Sequence, residues 1–287
     1  MVRFIKDVFN FYLDNNTLQK GAALAYYTVF SLLPIIIIIT SLLGIFFGEQ
    51  AISGEIYTQL KDILGNDASL QIQNIIKSQQ TNNNSLITSI IGFVVLVFSA
   101  SGMLSQVHNS FNDIWSIKEK PKSSILKFFT KRLLSFIILI ILFLLIFIST
   151  ILNSFLIKYA NILNDNYNSS YLYEHFLSFL VLSITFSIMF KFLSDAKIHW
   201  KAVLLGGLFT AFLFSFGKIG FSFYITHSNI SSTFGSASAL AILMLWVYYI
   251  SQIIFLGASF IKIISTRMGF DILPNSNAIK IEKIEVD

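Results

Sequence analysis

No cysteine occurs among the 287 residues. That absence excludes a disulfide framework, a thiolate zinc site, an iron–sulfur cluster and a cysteine nucleophile. Charge is scarce too: Asp, Glu, Lys and Arg together make up 12%, about half the roughly 25% of a soluble domain. Apolar residues take their place, at 55% with 30 phenylalanines and a mean hydropathy of +0.72. Too little polar surface remains to cover a water-soluble globule. The apolar residues also come in long blocks rather than heptads or glycine triplets, which excludes a coiled coil, collagen or a disordered chain. A polytopic membrane protein is the class left. The net charge of +5 would suggest nucleic acid in a soluble protein, but in a membrane protein the distribution of charge matters more than its sum.

A bilayer core of about 30 Å needs roughly 20 apolar residues in a helix. Charge-free blocks run Gly21–Gly48, Ser78–Asn112, Leu133–Ile157, Phe176–Phe190, Ala202–Gly217 and Ser228–Ile261. The second holds one span near Leu86–Val107, the fourth extends back through Tyr171, and the fifth continues to about Tyr224. The expected fold is an all-α bundle of six transmembrane helices. Of the 20 basic residues, only Lys61, Lys77, Lys158 and Lys218 fall outside when the N-terminus is placed inside. The positive-inside rule then makes both termini cytoplasmic.

Three parts follow: an N-terminal segment 1–20, a transmembrane domain 21–265 and a cytoplasmic tail 266–287. The first apolar block is long enough to span, so it reads as an uncleaved anchor rather than a signal peptide. Ahead of it, Phe4, Ile5, Val8, Phe9, Tyr12 and Leu13 share a helical face opposite Arg3, Lys6, Asp7 and Asn10. That pattern fits a helix lying in the membrane interface or a cytoplasmic continuation of the first span. The outer loop 49–85 carries two apolar stripes separated by Gly65-Asn66-Asp67, which predicts two short amphipathic helices.

The residues offer little for catalysis. His108, His175, His199 and His227 lie in separate loops or helix ends and form no HxH, HxxxH or HExxH pair. Asp195 and His199 are four apart and could share a face, but a solvated turn explains them without a metal. Gly217-Lys218-Ile219-Gly220 lacks the spacing of a phosphate-binding loop. The run Lys118–Arg132 could attract anionic lipid, although a topology signal suffices to explain it. No metal, cofactor or nucleic-acid partner is expected, and the bilayer itself is the expected partner.

Polar residues inside spans are more informative, because burying them unsatisfied is costly in lipid. Tyr26, Tyr27, Ser31 and Pro34 lie on the first span; Asn109 and Asn112, three apart, leave the second. Lys218 and Tyr224 lie on the fifth, and Trp246, Tyr249 and Gln252 on the sixth. Lys218 falls about 24 Å along its helix from Ala202, within snorkelling reach of the outer boundary. The alternative is a cavity-facing cation that attracts an acidic headgroup or solute.

Four stretches together resemble the YihY/BrkB family of bacterial inner-membrane proteins, formerly labelled ribonuclease BN. They are Gly21–Pro34, Gly102–Trp115, Lys197–Lys201 leading through Gly206 and Lys218 to Tyr224, and Phe234-Gly235 followed by Trp246, Tyr248 and Leu256-Gly257-Ala258. The resemblance covers about residues 15–265 and implies six helices, with Gly102, Gly206, Gly235 and Gly257 as packing positions. Ser259 stands where the family commonly has Glu, which puts in doubt any mechanism needing a carboxylate there. Metal-dependent phosphodiester cleavage wants clustered His and carboxylate ligands, and the sequence lacks them. The expectation is therefore a non-enzymatic inner-membrane transporter or exporter of a small or amphiphilic, lipid-like molecule. The rival is a non-transporting scaffold or envelope-assembly factor. Convergence of Tyr26, Ser31, Asn109, Lys218, Tyr249 and Gln252 on one cavity would favour transport; dispersal or tight packing would favour the scaffold.

Overall fold

A computed structural model describes residues 2–31, 48–81, 102–120, 137, 141, 144, 167–228, 230–234 and 237–281. Among these the chain is helical: α1 Val2–Asp14, α2 17–31, α3 Glu49–Leu64, α4 Asn66–Thr81, α5 102–114, α6 Tyr167–Phe192, α7 Trp200–His227, α8 Ile230–Phe234 and α9 Ser238–Arg267. Two short antiparallel ladders are added, β1 Ile117–Glu119 with β4 Ala278–Lys280 and β2 Ala196–Lys197 with β3 Leu273–Pro274.

Among the described residues, α7 and α9 are long and apolar enough to cross a bilayer, and Phe176–Phe192 forms a shorter apolar helix. The expected count of six is thus met only in part. The expected spans at 21–48, 86–107 and 133–157 lie largely outside the described residues, as do Pro34, Gly235 and the stretch 121–132 of the basic run. The sixth span starts later than its charge-free block, at Ser238 with the short helix α8 ahead of it, and continues past Lys262 to Arg267.

The C-terminal end of α1 has a chemical cause. Asn15 Nδ2 donates to Phe11 O and Thr17 Oγ1 to Tyr12 O, both at 2.7 Å, supplying donors to carbonyls that a helix end leaves open. Asn16 takes φ 52, the left-handed region that Asn tolerates. The N-terminal segment is therefore a separate helix, not an unbroken continuation of the first span.

The chain divides into two compact units. Unit 1 comprises Met1–Thr17, Val107–Ser215 and Ile253–Asp287. Its core is aromatic: Phe111 lies 5.2 Å from Trp115, 5.4 Å from Phe190 and 6.4 Å from Phe255 between ring centres. Trp115 is fully buried and its Nε1–H donates to Ala258 O at 3.1 Å, so the large ring leaves no unmade hydrogen bond. Glycines bring the helices of this core close. Gly206 faces the side chain of Ile261, and Gly257 faces Thr210 and Phe190.

Unit 2 comprises Leu18–Gln106 and Phe216–Gln252. Here α3 and α4 turn on Gly65, whose φ of 82 suits glycine alone. Leu64, Ala68 and Ile72 are buried at that turn, and Tyr57 Oη donates to Asn66 Oδ1 at 2.7 Å. The two helices and their break fall where the apolar stripes predict them.

Candidate functional site

The structure sorts the candidate residues into two sets with different chemistry. In unit 1 the centre is Asp195, in the bend between α6 and β2 and only 2% exposed. His108 Nε2 lies 2.9 Å and Asn112 Nδ2 3.2 Å from its Oδ2, while Asn275 Nδ2 donates to Oδ1 at 2.8 Å. Asn112 also accepts from the Asp195 amide through Oδ1 at 2.9 Å, and the Asn275 amide donates to Asp195 O at 2.8 Å. A carboxylate accepts on both oxygens, and this one meets donors from α5 and from the C-terminal strand segment. One buried residue thus joins three segments remote in sequence.

This corrects two expectations. Asp195 is not in a solvated turn, and it does not act with His199, whose exposed ring stacks on Phe270 at 4.0 Å between centres. Asn109 and Asn112, three apart on α5, differ in setting: Asn112 is buried on Asp195, whereas Asn109 is exposed. The sequence reading missed His108 and Asn275 as partners. The one signal available was that Asp195 is the single acid between two apolar blocks, in a segment that also carries Lys191, Lys197 and Lys201.

In unit 2 the polar side chains pack on glycines. Tyr249 lies over Gly217 and the Gln252 amide over Gly21, each so close that a Cβ would overlap it. Tyr27 meets Gly102, where a Cβ would stand 2.8 Å from the ring. Ser31 is fully buried, with its hydroxyl 3.1 Å from Thr28 O and 3.5 Å from Met103 Sδ. Trp246 is buried with its ring centre 4.8 Å from that of Phe221. Tyr26 and Tyr224 are exposed. The candidates are therefore partly packed and partly dispersed.

Lys218 behaves differently. It is half-buried on α7, and among the described residues it has neither an ion pair nor a hydrogen bond. Ser222 and Thr226 follow at four-residue spacing on the same face, so a cation and two hydroxyl side chains form one polar strip on an apolar helix. No group of three or more His, Cys, Asp or Glu placed to hold a metal occurs among the described residues. Of the basic run, Lys118 is exposed and Lys120 Nζ donates to Ser276 O at 2.9 Å.

A family model described as Virulence factor BrkB matches residues 8–280. A UPF0761 membrane protein of Saccharophagus degradans is 26% identical over 92% of this chain, which spans 60% of that relative's length. Another UPF0761 membrane protein, from Pseudoalteromonas atlantica, is 28% identical over 88% of this chain and 82% of its own. A ribonuclease-like protein of Bacillus subtilis, YfkH, is 24% identical over 96% of this chain and 98% of its own. No solved structure matches. The chain belongs to the Virulence factor BrkB family and is a membrane protein of that family.

Proposed function

We propose that this member of the BrkB family is a six-span protein of the bacterial inner membrane, with both termini cytoplasmic, that transports or exports a small or amphiphilic molecule. The topology rests on the asymmetry of the basic residues and on the apolar blocks. The transport reading rests on Lys218. A half-buried cation with no anion partner among the described residues, on an apolar helix, is a functional position by default in a membrane protein, and Ser222 and Thr226 extend its polar strip. That chemistry suits an acidic headgroup or a small anionic solute. A lysine that only snorkels would need no such strip.

The second reading is a non-transporting scaffold, and the setting of the candidate residues favours it: Tyr249 and Gln252 pack on glycines, as residues that hold helices together do, and Tyr26 and Tyr224 are exposed. We read the chain as non-catalytic in either case.

Purified protein reconstituted in vesicles separates these readings. Flux of small anions and scrambling of labelled anionic lipid are compared for wild type, Lys218→Ala and Lys218→Arg. The transport reading expects activity in wild type, a loss of about tenfold in Lys218→Ala, the cost of one charge-assisted contact of about 1.5 kcal/mol, and substantial retention in Lys218→Arg. Activity absent across all substrates supports the scaffold, and equal rates remove Lys218 from the mechanism. Incubation with a divalent metal and precursor tRNA should give no cleavage; cleavage would overturn the non-catalytic reading.

A further inference from the structure

The most informative surface outside these sites is α1. At about 100° per residue, most of its side chains fall into three sectors roughly a quarter turn apart, and Asp7, Phe11 and Asp14 occupy the remaining arc. Phe4, Val8 and Tyr12 form the first and face the protein. Val8 and Tyr12 are buried, and Phe4 meets Phe260 edge-on with ring centres 5.4 Å apart. Ile5, Phe9 and Leu13 form the second and are 61%, 53% and 43% exposed. Arg3, Lys6 and Asn10 form the third, all exposed. The apolar face read from the sequence is thus two faces, one docked and one open.

The orientation of α1 is held at both ends. Arg267 Nη2 lies 2.8 Å from Asp7 Oδ2, and its guanidinium sits 4.6 Å above the Phe4 ring. The turn after Asp14 is set by the side chains of Asn15 and Thr17. The helix therefore cannot roll to hide Ile5, Phe9 and Leu13 without undocking Val8 and Tyr12.

We propose that α1 lies flat in the bilayer interface, with Ile5, Phe9 and Leu13 among the acyl chains and Arg3 and Lys6 against anionic headgroups. An amphipathic helix at a membrane surface needs an apolar face next to a cationic one, and here the two sectors adjoin. Of the two acids on the helix, Asp7 is already paired with Arg267, and Asp14 lies on the last turn, eight residues beyond Lys6. A helix docked on a membrane protein by one face can meet acyl chains on the adjoining flank and headgroups beyond it, which is the observed order of sectors. The inference rests on the membrane character of the family and not on the transport reading.

The absence of cysteine makes the test direct. Ile5→Cys, Phe9→Cys, Leu13→Cys and Asn10→Cys are each labelled with an environment-sensitive fluorophore in the full chain. The labelled proteins are reconstituted in phosphatidylcholine vesicles with and without phosphatidylglycerol. Insertion to the headgroup–acyl boundary should lower iodide quenching about threefold at 5, 9 and 13 relative to 10. Shallowly brominated lipid should quench the first three positions and spare the last. Phosphatidylglycerol should strengthen that lipid quenching, and Arg3→Gln with Lys6→Gln should remove the gain. Equal iodide access at 9 and 10 would overturn the proposal, and so would pyrene excimers at Phe9→Cys replacing lipid quenching, since a second copy would then cover the face. Indifference to phosphatidylglycerol would overturn the headgroup assignment. Failure of every transport assay would leave these results standing.

Discussion

Asp195, buried in unit 1, and Tyr249, half-buried in unit 2, are both polar groups on the helical framework, yet their surroundings differ in kind. Around Asp195, in unit 1, three side chains bring donors to one carboxylate. Around Tyr249, in unit 2, the accommodating feature is a missing side chain, Gly217. The first arrangement is specified by hydrogen-bond geometry and the second by shape. The difference matters for what each unit tolerates. A hydrogen-bonded node fails when one member is removed, because the others are left buried without a partner. A packed seam fails when something is added, and only as far as the neighbour cannot move aside.

The largest effect should come from breaking the node. Asp195→Ala leaves the His108 ring and the Asn112 and Asn275 amides short of an acceptor, and should cost about 3–5 kcal/mol. The check is the thermal unfolding midpoint of detergent-solubilised protein. Asp195→Asn preserves shape but loses acceptor capacity, and should fall between wild type and the alanine variant. If Asp195→Ala is as stable as wild type, the contrast between the units collapses.

Next should be Gly207→Ala, also in unit 1. Its new methyl would overlap the Ser187 hydroxyl and stand 2.6 Å from Ser183 O and 2.9 Å from Ser187 N. Backbone atoms cannot rotate away, so α6 and α7 must part, at about 2–3 kcal/mol. Gly217→Ala, in unit 2, meets the far end of Tyr249 instead and should cost about 1 kcal/mol. Part of that cost should vanish when Tyr249→Phe removes the nearest atom, while the ring carbons Cζ and Cε1, at 2.7 and 2.8 Å from the new methyl, remain to be displaced. A double-mutant cycle on the same unfolding midpoints reads the coupling. Additive effects would mean that the hydroxyl is not what the glycine accommodates.

These glycines also mark how far the sequence could be read. Long apolar blocks predict α7 and α9 because burial in lipid needs only composition and length. The break at Gly65-Asn66 is visible because turn chemistry is local. Gly206 and Gly257 are recognisable as packing positions, but Gly207, whose neighbour is the backbone of α6, is not distinguished from its neighbour by anything in the chain. The Asp195 node is illegible for a stronger reason. His108, Asn112, Asp195 and Asn275 are brought together by tertiary folding, and no spacing encodes contacts between residues 80 or more apart. The ladders β1–β4 and β2–β3 are two or three residues long, too short for alternation to register. The pathway candidates stand out by their polarity, but polarity cannot tell a residue that lines a cavity from one that fits a glycine.

The smallest effect is the control that gives the comparison its meaning. Arg267 and Asp7 form an ion pair in unit 1 as short as the bonds of the node, at 2.8 Å. Their side chains are 45% and 42% exposed, against 3% for Asp195. Water competes for an exposed pair and replaces it when it is broken, so Arg267→Ala should cost less than about 1 kcal/mol, with the lost stacking over Phe4 included. Equal losses for Arg267→Ala and Asp195→Ala would show that any ion contact in unit 1 matters equally. A small loss at Arg267 beside a large one at Asp195 would assign the effect to burial, because distance is nearly the same in the two cases and solvent access is what differs.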